Sequence, residues 1–162
     1  MRERPTWDHQ FMELAVLASK RSTCTRRSVG AIIVRDTRVI STGYNGPPKG
    51  AEHCDVSGCI REEMNVPSGQ RAELCRGIHA EQNAIIQAAV SGVSVAGGTL
   101  YCTNHPCSIC AKMIINSGIS EVVYMEDYVD PVARELFLES GIRVRRFVPE
   151  RQRPFSESGG IQ

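Results

Sequence analysis

Hydrophobic spacing along the chain changes period several times, and each change marks an element. WDHQFMELAVLASKRS (7–22) places apolar side chains at Phe11, Leu14, Ala15, Leu17 and Ala18, which predicts an amphipathic helix burying one face. Asp8 near its start and Lys20 and Arg21 near its end complement the helix dipole. SVGAIIVRD (28–36) and RVISTGY (38–44) are β-rich and meet at Asp36-Thr37, which predicts a hairpin. NGPPKG (45–50) then breaks any regular element.

From Ala51 to Gly77 there is little periodicity, and a stretch of that length inside a compact domain needs an organising device. IHAEQNAIIQAAV (78–90) returns to helical spacing, with an apolar face through Ala80, Ala84, Ile85, Ala88 and Ala89 and a stop at Gly92. GGTLYCT (97–103) predicts a third strand. PCSICAKMIINSG (106–118) predicts a helix with Pro106 in its first turn and Gly118 past its end. EVVYM (121–125) is a fourth strand, Asp130-Pro131 opens a short helix to about Glu139, and IRVRRFV (142–148) is a fifth strand. Alternating strands and helices in the second half argue for parallel pairing with helices on both faces, and the hairpin adds antiparallel character. The expected fold is α/β: a three-layer α/β/α sandwich around a mixed five-stranded sheet.

A length of 162 residues suits one domain, here 6–148 with a cysteine-bearing insertion at about 51–77 and a flexible tail at 149–162. Hydrophobic residues at 41% provide a core, and a net charge of +1 implies no basic face for nucleic acid. No apolar run reaches the roughly 18 residues of a membrane span, and MRERPTWDHQF lacks the apolar stretch of a secretory signal. A cytoplasmic protein is the expectation. Seven cysteines in such a chain, an odd number, favour thiolate–metal ligation over disulfides.

Two fragments carry the chemistry. His79-Ala80-Glu81 and Pro106-Cys107-Ser108-Ile109-Cys110 each open a predicted helix, with one strand between them. Cysteines three apart share a helical face, and a helix N-terminus favours the thiolate form. With His79, they offer one nitrogen and two sulfurs, leaving the fourth position of a tetrahedral Zn²⁺ open for water, as in catalytic rather than structural zinc. Glu81, two residues past His79, suits a general base that need not bind the metal. A lone His-x-Glu is usually surface polarity, and a lone Cys-x-x-Cys is often structural or redox; the specificity lies in finding both together.

The His-Ala-Glu and Pro-Cys-x-x-Cys fragments resemble the signature of the zinc-dependent cytidine deaminase superfamily. RSTCTRRSVGAIIV, STGYNGPPKG and the long span between Gly50 and His79 resemble its deoxycytidylate (dCMP) deaminase branch. That resemblance implies hydrolysis of dCMP to dUMP and ammonia, supplying dUMP for thymidylate synthesis. It implies that Glu81 passes protons to N3 and to the departing amine, that Asn45 bonds the sugar hydroxyl, and that the Ala80 backbone reads the pyrimidine edge. Asn45 also reads as a turn residue, since Asn-Gly is a turn dipeptide. Arg26, Arg27 and Lys49 are candidates for the 5′-phosphate. The branch further implies a homo-oligomer, commonly a hexamer, activated by dCTP and inhibited by dTTP, with GYNGPPKG as the candidate effector contact through Gly43, Tyr44, Gly46 and Lys49. Asn104-His105 is more polar than the family pattern.

Of the remaining cysteines, Cys102 reads as a buried small hydrophobe. Cys24, Cys54, Cys59 and Cys75 would make a closed four-thiolate site able to organise the insertion, and the resemblance implies a second, structural zinc in this region. His53 in place of Cys59 or Cys24, or four free thiols, are the alternatives. Deamination of tRNA adenosine or free cytidine, or a non-catalytic zinc-stapled binding module, are the competing functions.

Overall fold

The structure is a computed structural model that describes residues 4–149, so most of the expected tail lies outside the described residues. A five-stranded sheet has the order β2-β1-β3-β4-β5, formed by β1 (Gly30–Arg35), β2 (Arg38–Tyr44), β3 (Thr99–Asn104), β4 (Glu121–Glu126) and β5 (Arg143–Arg146). β1 pairs antiparallel with β2 and β3; β3–β4 and β4–β5 are parallel. The mixed α/β/α sandwich therefore matches the expectation, but its outer layers are unequal. Among the described residues α1 (Trp7–Ser19) is the one helix on one face, packing Phe11, Met12 and Ala15 on Ile32, Val34, Tyr101 and Val123. The other face carries α4 (Ala80–Val90), α5 (Ser108–Asn116) and α6 (Pro131–Ser140), packed on Ala31, Ile33, Leu100, Cys102 and Val122. β3, β4 and β5 run parallel, and their connections put α5 and α6 on the same side.

Local chemistry explains the boundaries. The Thr6 hydroxyl caps α1 by accepting from the His9 N–H. The hairpin turns on Asp36 and Thr37, both at positive φ (50° and 58°), as a two-residue turn needs to match strand twist. α5 starts after Cys107, so Pro106 precedes the helix rather than lying in its first turn. The buried face of α1 is Phe11, Met12, Ala15 and Ser19, while Leu17 is exposed. That rotation has a cause. Gly30 brings β1 against the helix backbone so closely that a Cβ there would lie 2.0 Å from the Ala15 oxygen, centring the contact on Ala15. Gly43 does the same on the opposite face, where a Cβ would lie 2.2 Å from the Ala80 oxygen.

The insertion is not formless. It holds two one-turn helices, α2 (Cys54–Ser57) and α3 (Ile60–Glu63), and a 3-10 turn at Ala72–Leu74. Its neck is closed by a bridge in which the Gly46 N–H donates to the Ile78 carbonyl (3.1 Å) and the Ile78 N–H donates back (2.8 Å). Thr25 donates to Glu62 (2.8 Å), and Thr23 contacts His53 Nδ1 (2.8 Å), tying the insertion to the segment before β1. Among the described residues no helix is long and apolar enough to cross a membrane.

Candidate active site

Two helix N-termini converge at one point. His79 is the residue before α4 and Cys107 the residue before α5, so both project from the positive ends of their helices. His79 fixes its own backbone by donating its N–H to the Gln82 side chain (2.8 Å). Its Nδ1 lies 3.4 Å from the Cys107 sulfur and 3.3 Å from the Cys110 sulfur. Among the described residues, these three form the one set of His, Cys or carboxylate donors lying within 4.8 Å of one another.

The donor set fits zinc. One imidazole nitrogen and two thiol sulfurs of borderline softness converge without a disulfide, and Cys110 and Glu81 are buried. Cys107 is pushed down to about 4, chiefly by hydrogen bonding from the Cys110 thiol and further by His79, against the cost of burial. The same bond, with burial, pushes Cys110 up. His79 is raised by its bond with Cys107. Glu81 is raised by burial, because water is excluded from its charged form.

Asp130 holds this arrangement from behind. Its Oδ2 accepts the Ser108 N–H (2.8 Å) at the start of α5, and its Oδ1 accepts the Ala133 N–H (3.1 Å) at the start of α6. Burial alone would raise its carboxyl, but these N–H donors outweigh that and hold it below its ordinary value. His105 is buried beside it, edge-on to Tyr124 at 4.8 Å, and burial lowers its pKa. Its Nδ1 sits 2.9 Å from the Pro106 carbonyl, which can only accept, so Nδ1 carries the proton. The polar Asn104-His105 pair is thus packed into the wall of the site.

A cavity of about 460 Å³ opens over His79 and Glu81, lined also by Asn45, Ala80, Cys107 and Tyr128. The Asn45 side chain is engaged with the segment before β1: Oδ1 accepts from Val29 N–H and Nδ2 donates to Arg27 carbonyl, both at 2.8 Å. Arg26 and Arg27 line the cavity, and the Arg27 guanidinium lies 5.7 Å from the centre of the Tyr128 ring. Gly43, Tyr44 and Gly46 have structural partners: Gly43 packs on α4, the Tyr44 carbonyl accepts from Asn83 (2.7 Å), and Gly46 closes the neck. Lys49 is exposed beyond them.

Cys24, Cys54, Cys59 and Cys75 all reach the cavity wall on the insertion side. Cys54 is raised by burial first and then by the charges of Cys24, Cys59 and Cys75, so these three lie within electrostatic reach of Cys54. They do not meet the 4.8 Å closeness of the His79 set. His53 is exposed and turned to Thr23. Cys102 is fully buried in β3, as expected.

Sequence reasoning overlooked Arg61, Tyr128 and Asp130. Arg61 lines the cavity from α3 and Tyr128 from the β4–α6 connection. Asp130 was legible as the cap of α6, but nothing in its neighbours signals the second bond to α5.

The family model for the cytidine and deoxycytidylate deaminase zinc-binding region matches residues 5–126. A deoxycytidylate deaminase of Schizosaccharomyces pombe is 42% identical over 149 residues, covering 91% of this chain and 46% of that protein. ComE operon protein 2 of Bacillus subtilis is 44% identical over 145 residues, covering 89% and 72%. The chain thus spans about half the length of the yeast deaminases it matches. Among solved structures, the dCMP deaminase of cyanophage S-TIM5 in complex with dCMP and dUMP superposes with a TM-score of 0.75 at 31% identity, over 90% of this chain and 100% of that one. By its matched region and its converging His79, Cys107 and Cys110, the chain belongs to the cytidine and deoxycytidylate deaminase family.

Proposed function

We propose that the chain hydrolyses dCMP to dUMP and ammonia. The observation that carries this reading is His79 Nδ1 within 3.4 Å of both cysteine sulfurs, with the buried Glu81 two residues away at the floor of a nucleotide-sized cavity. The likeness to a deaminase structure holding dCMP and dUMP supports the choice of substrate. His79, Cys107 and Cys110 would hold the zinc. Bound there, zinc supplies Lewis acidity that makes a water easier to deprotonate. Glu81 accepts that proton, delivers it to N3 of the cytosine and then serves the leaving amine. Burial favours this role, because raising the carboxyl above its ordinary value makes it a better proton acceptor. The Ala80 backbone reads the pyrimidine edge, Asn45 meets the sugar with the donor and acceptor capacity its scaffold bonds leave over, and Arg26 and Arg27 face the 5′-phosphate.

The finer expectations belong to the same reading. Cys24, Cys54, Cys59 and Cys75 hold a second, structural zinc; their shared cavity wall and the mutual charge effects on Cys54 support it. The enzyme is a cytoplasmic homo-oligomer, a hexamer, whose GYNGPPKG segment takes dCTP or dTTP.

The test is ammonia release from dCMP, dCTP, cytidine and a tRNA hairpin. Turnover confined to dCMP supports the reading, and turnover of another arm alone would sink it. Glu81→Gln should lose about 10²–10⁴-fold in kcat while metal analysis still finds two zincs per chain; one zinc would remove the second site. The same assay with added dCTP and dTTP, and sedimentation of the protein, decide the regulatory and hexamer proposals.

A further inference from the structure

We infer that Arg61, carried by the insertion, reads the 5′-phosphate of the substrate together with Arg26, so that the preference for nucleotide over nucleoside is built into the insertion. This rests on the dCMP reading of the site and deepens it. Four arginines line the cavity: Arg26, Arg27, Arg61 and Arg76. Two carboxylates, Glu81 and Asp130, also line it, and among the described residues neither forms an ion pair with an arginine. Glu81 is buried beside the metal ligands, and both Asp130 oxygens are taken by helix N–H groups. A neutral nucleoside would bring these guanidinium groups no anionic partner.

Two of the four stand out by what they lack. Arg26 Nη1 and Arg61 Nε are buried and have no hydrogen-bond partner among the described residues. A guanidinium N–H shut away from water without an acceptor is costly, and the great majority of buried polar groups in folded proteins are satisfied. The other two arginines have contacts of their own: Arg76 donates to Ser57 (2.9 Å), and Arg27 lies over the Tyr128 ring, a contact that leaves its N–H groups to the same phosphate. Arg61 is otherwise held only by one long bond from Nη2 to the Pro67 carbonyl (3.4 Å), which leaves its fork able to turn. A phosphate monoester brings what both lack, several acceptor oxygens with two negative charges, and arginine forks match that geometry.

The placement is specific. Arg61 sits in α3, two residues after Cys59, and the Thr25–Glu62 bond on the next residue joins α3 to the segment that carries Arg26. One hydrogen bond thus spans the two elements from which the arginines come.

The test compares wild type, Arg61→Ala, Arg61→Lys and Arg26→Ala in two readouts. Steady-state kinetics on dCMP and deoxycytidine should show kcat/KM falling about 10–100-fold more on dCMP than on deoxycytidine in Arg61→Ala, the loss expected for a charged hydrogen bond. Arg61→Lys should recover part of it, and zinc content should not change. Calorimetric binding of dUMP, deoxyuridine and inorganic phosphate supplies the second readout. Arg61→Ala should weaken dUMP by a similar factor, leave deoxyuridine within about twofold and abolish any phosphate competition. Unchanged dUMP affinity in Arg61→Ala, or wild-type affinities equal for dUMP and deoxyuridine, overturns the inference. A wild type that binds dUMP through Arg61 yet deaminates nothing would overturn the dCMP reading and leave the phosphate site standing.

Discussion

Gly43 shows how far single side chains decide this site. Its missing Cβ lets β2 touch the backbone of α4 at Ala80 and Ala84, and Ala80 stands between His79 and Glu81. Gly43→Ala would place a methyl 2.2 Å from a carbonyl oxygen and 2.5 Å from a backbone nitrogen. Neither is a flexible side chain that could yield, so we expect a loss of about 1–3 kcal/mol as helix and strand are forced apart. A thermal melt should show it, together with lower kcat/KM on dCMP because α4 carries Glu81, the proposed general base; an unshifted melt would mean that the helix slides at no cost. The cluster of His79, Cys107 and Cys110 was legible because zinc chemistry restricts residue type and spacing. Gly43 was legible as a glycine but not as a packing contact, since contact depends on which helix returns over the strand.

Elements were more legible than their faces. Each predicted helix and strand exists within a few residues, because Gly, Pro and capping residues mark their ends locally. The buried face of α1 differs from its most apolar stripe because the Gly30 contact fixes its rotation. The one-turn helices of the insertion left no periodic trace, being shorter than the period that would reveal them. Asp130 joins two elements. Substitution by Ala removes the carboxylate from both helix starts, and each cap contributes about 0.5–2 kcal/mol. We expect Asp130→Ala to melt earlier and to surrender zinc to a competing chelator at lower concentration, since Cys107 and Cys110 open α5. Asp130→Asn, which keeps the acceptor at one helix start, should fall between. Equal zinc retention in all three would restrict Asp130 to a role in stability.

For the molecule as a whole, α1 is the one helix among the described residues that covers its sheet face, and a polar network secures it. Asp8 pairs with Arg145 of β5 and accepts from the Tyr101 hydroxyl (2.7 Å), while Arg145 Nε reaches Glu121 at 2.7 Å. The Arg145 bond lowers the Asp8 carboxyl despite partial burial. A depressed folded pKa means that the stabilisation is fully present above the unfolded value near 4 and fades as pH falls through the lower folded value. Wild type should therefore lose stability on acidification below about pH 4 more steeply than Asp8→Asn, and urea unfolding at graded pH measures the difference. Parallel slopes would take Asp8 out of the acid response. This network joins residues from four elements far apart in the chain, which is why local sequence patterns did not announce it.

The bridge between Gly46 and Ile78 has a consequence for how such proteins can diverge. Chain leaves and re-enters the sheet framework at two adjacent points, so residues 47–77 hang from a closed socket. Asn45 and His79, just outside that socket, keep their spacing whatever is mounted in it. The enclosed segment is thus an exchangeable cassette. Replacing it would change the cavity wall around Arg61 and Arg76 while the cluster of His79, Cys107 and Cys110 stays on the sheet framework.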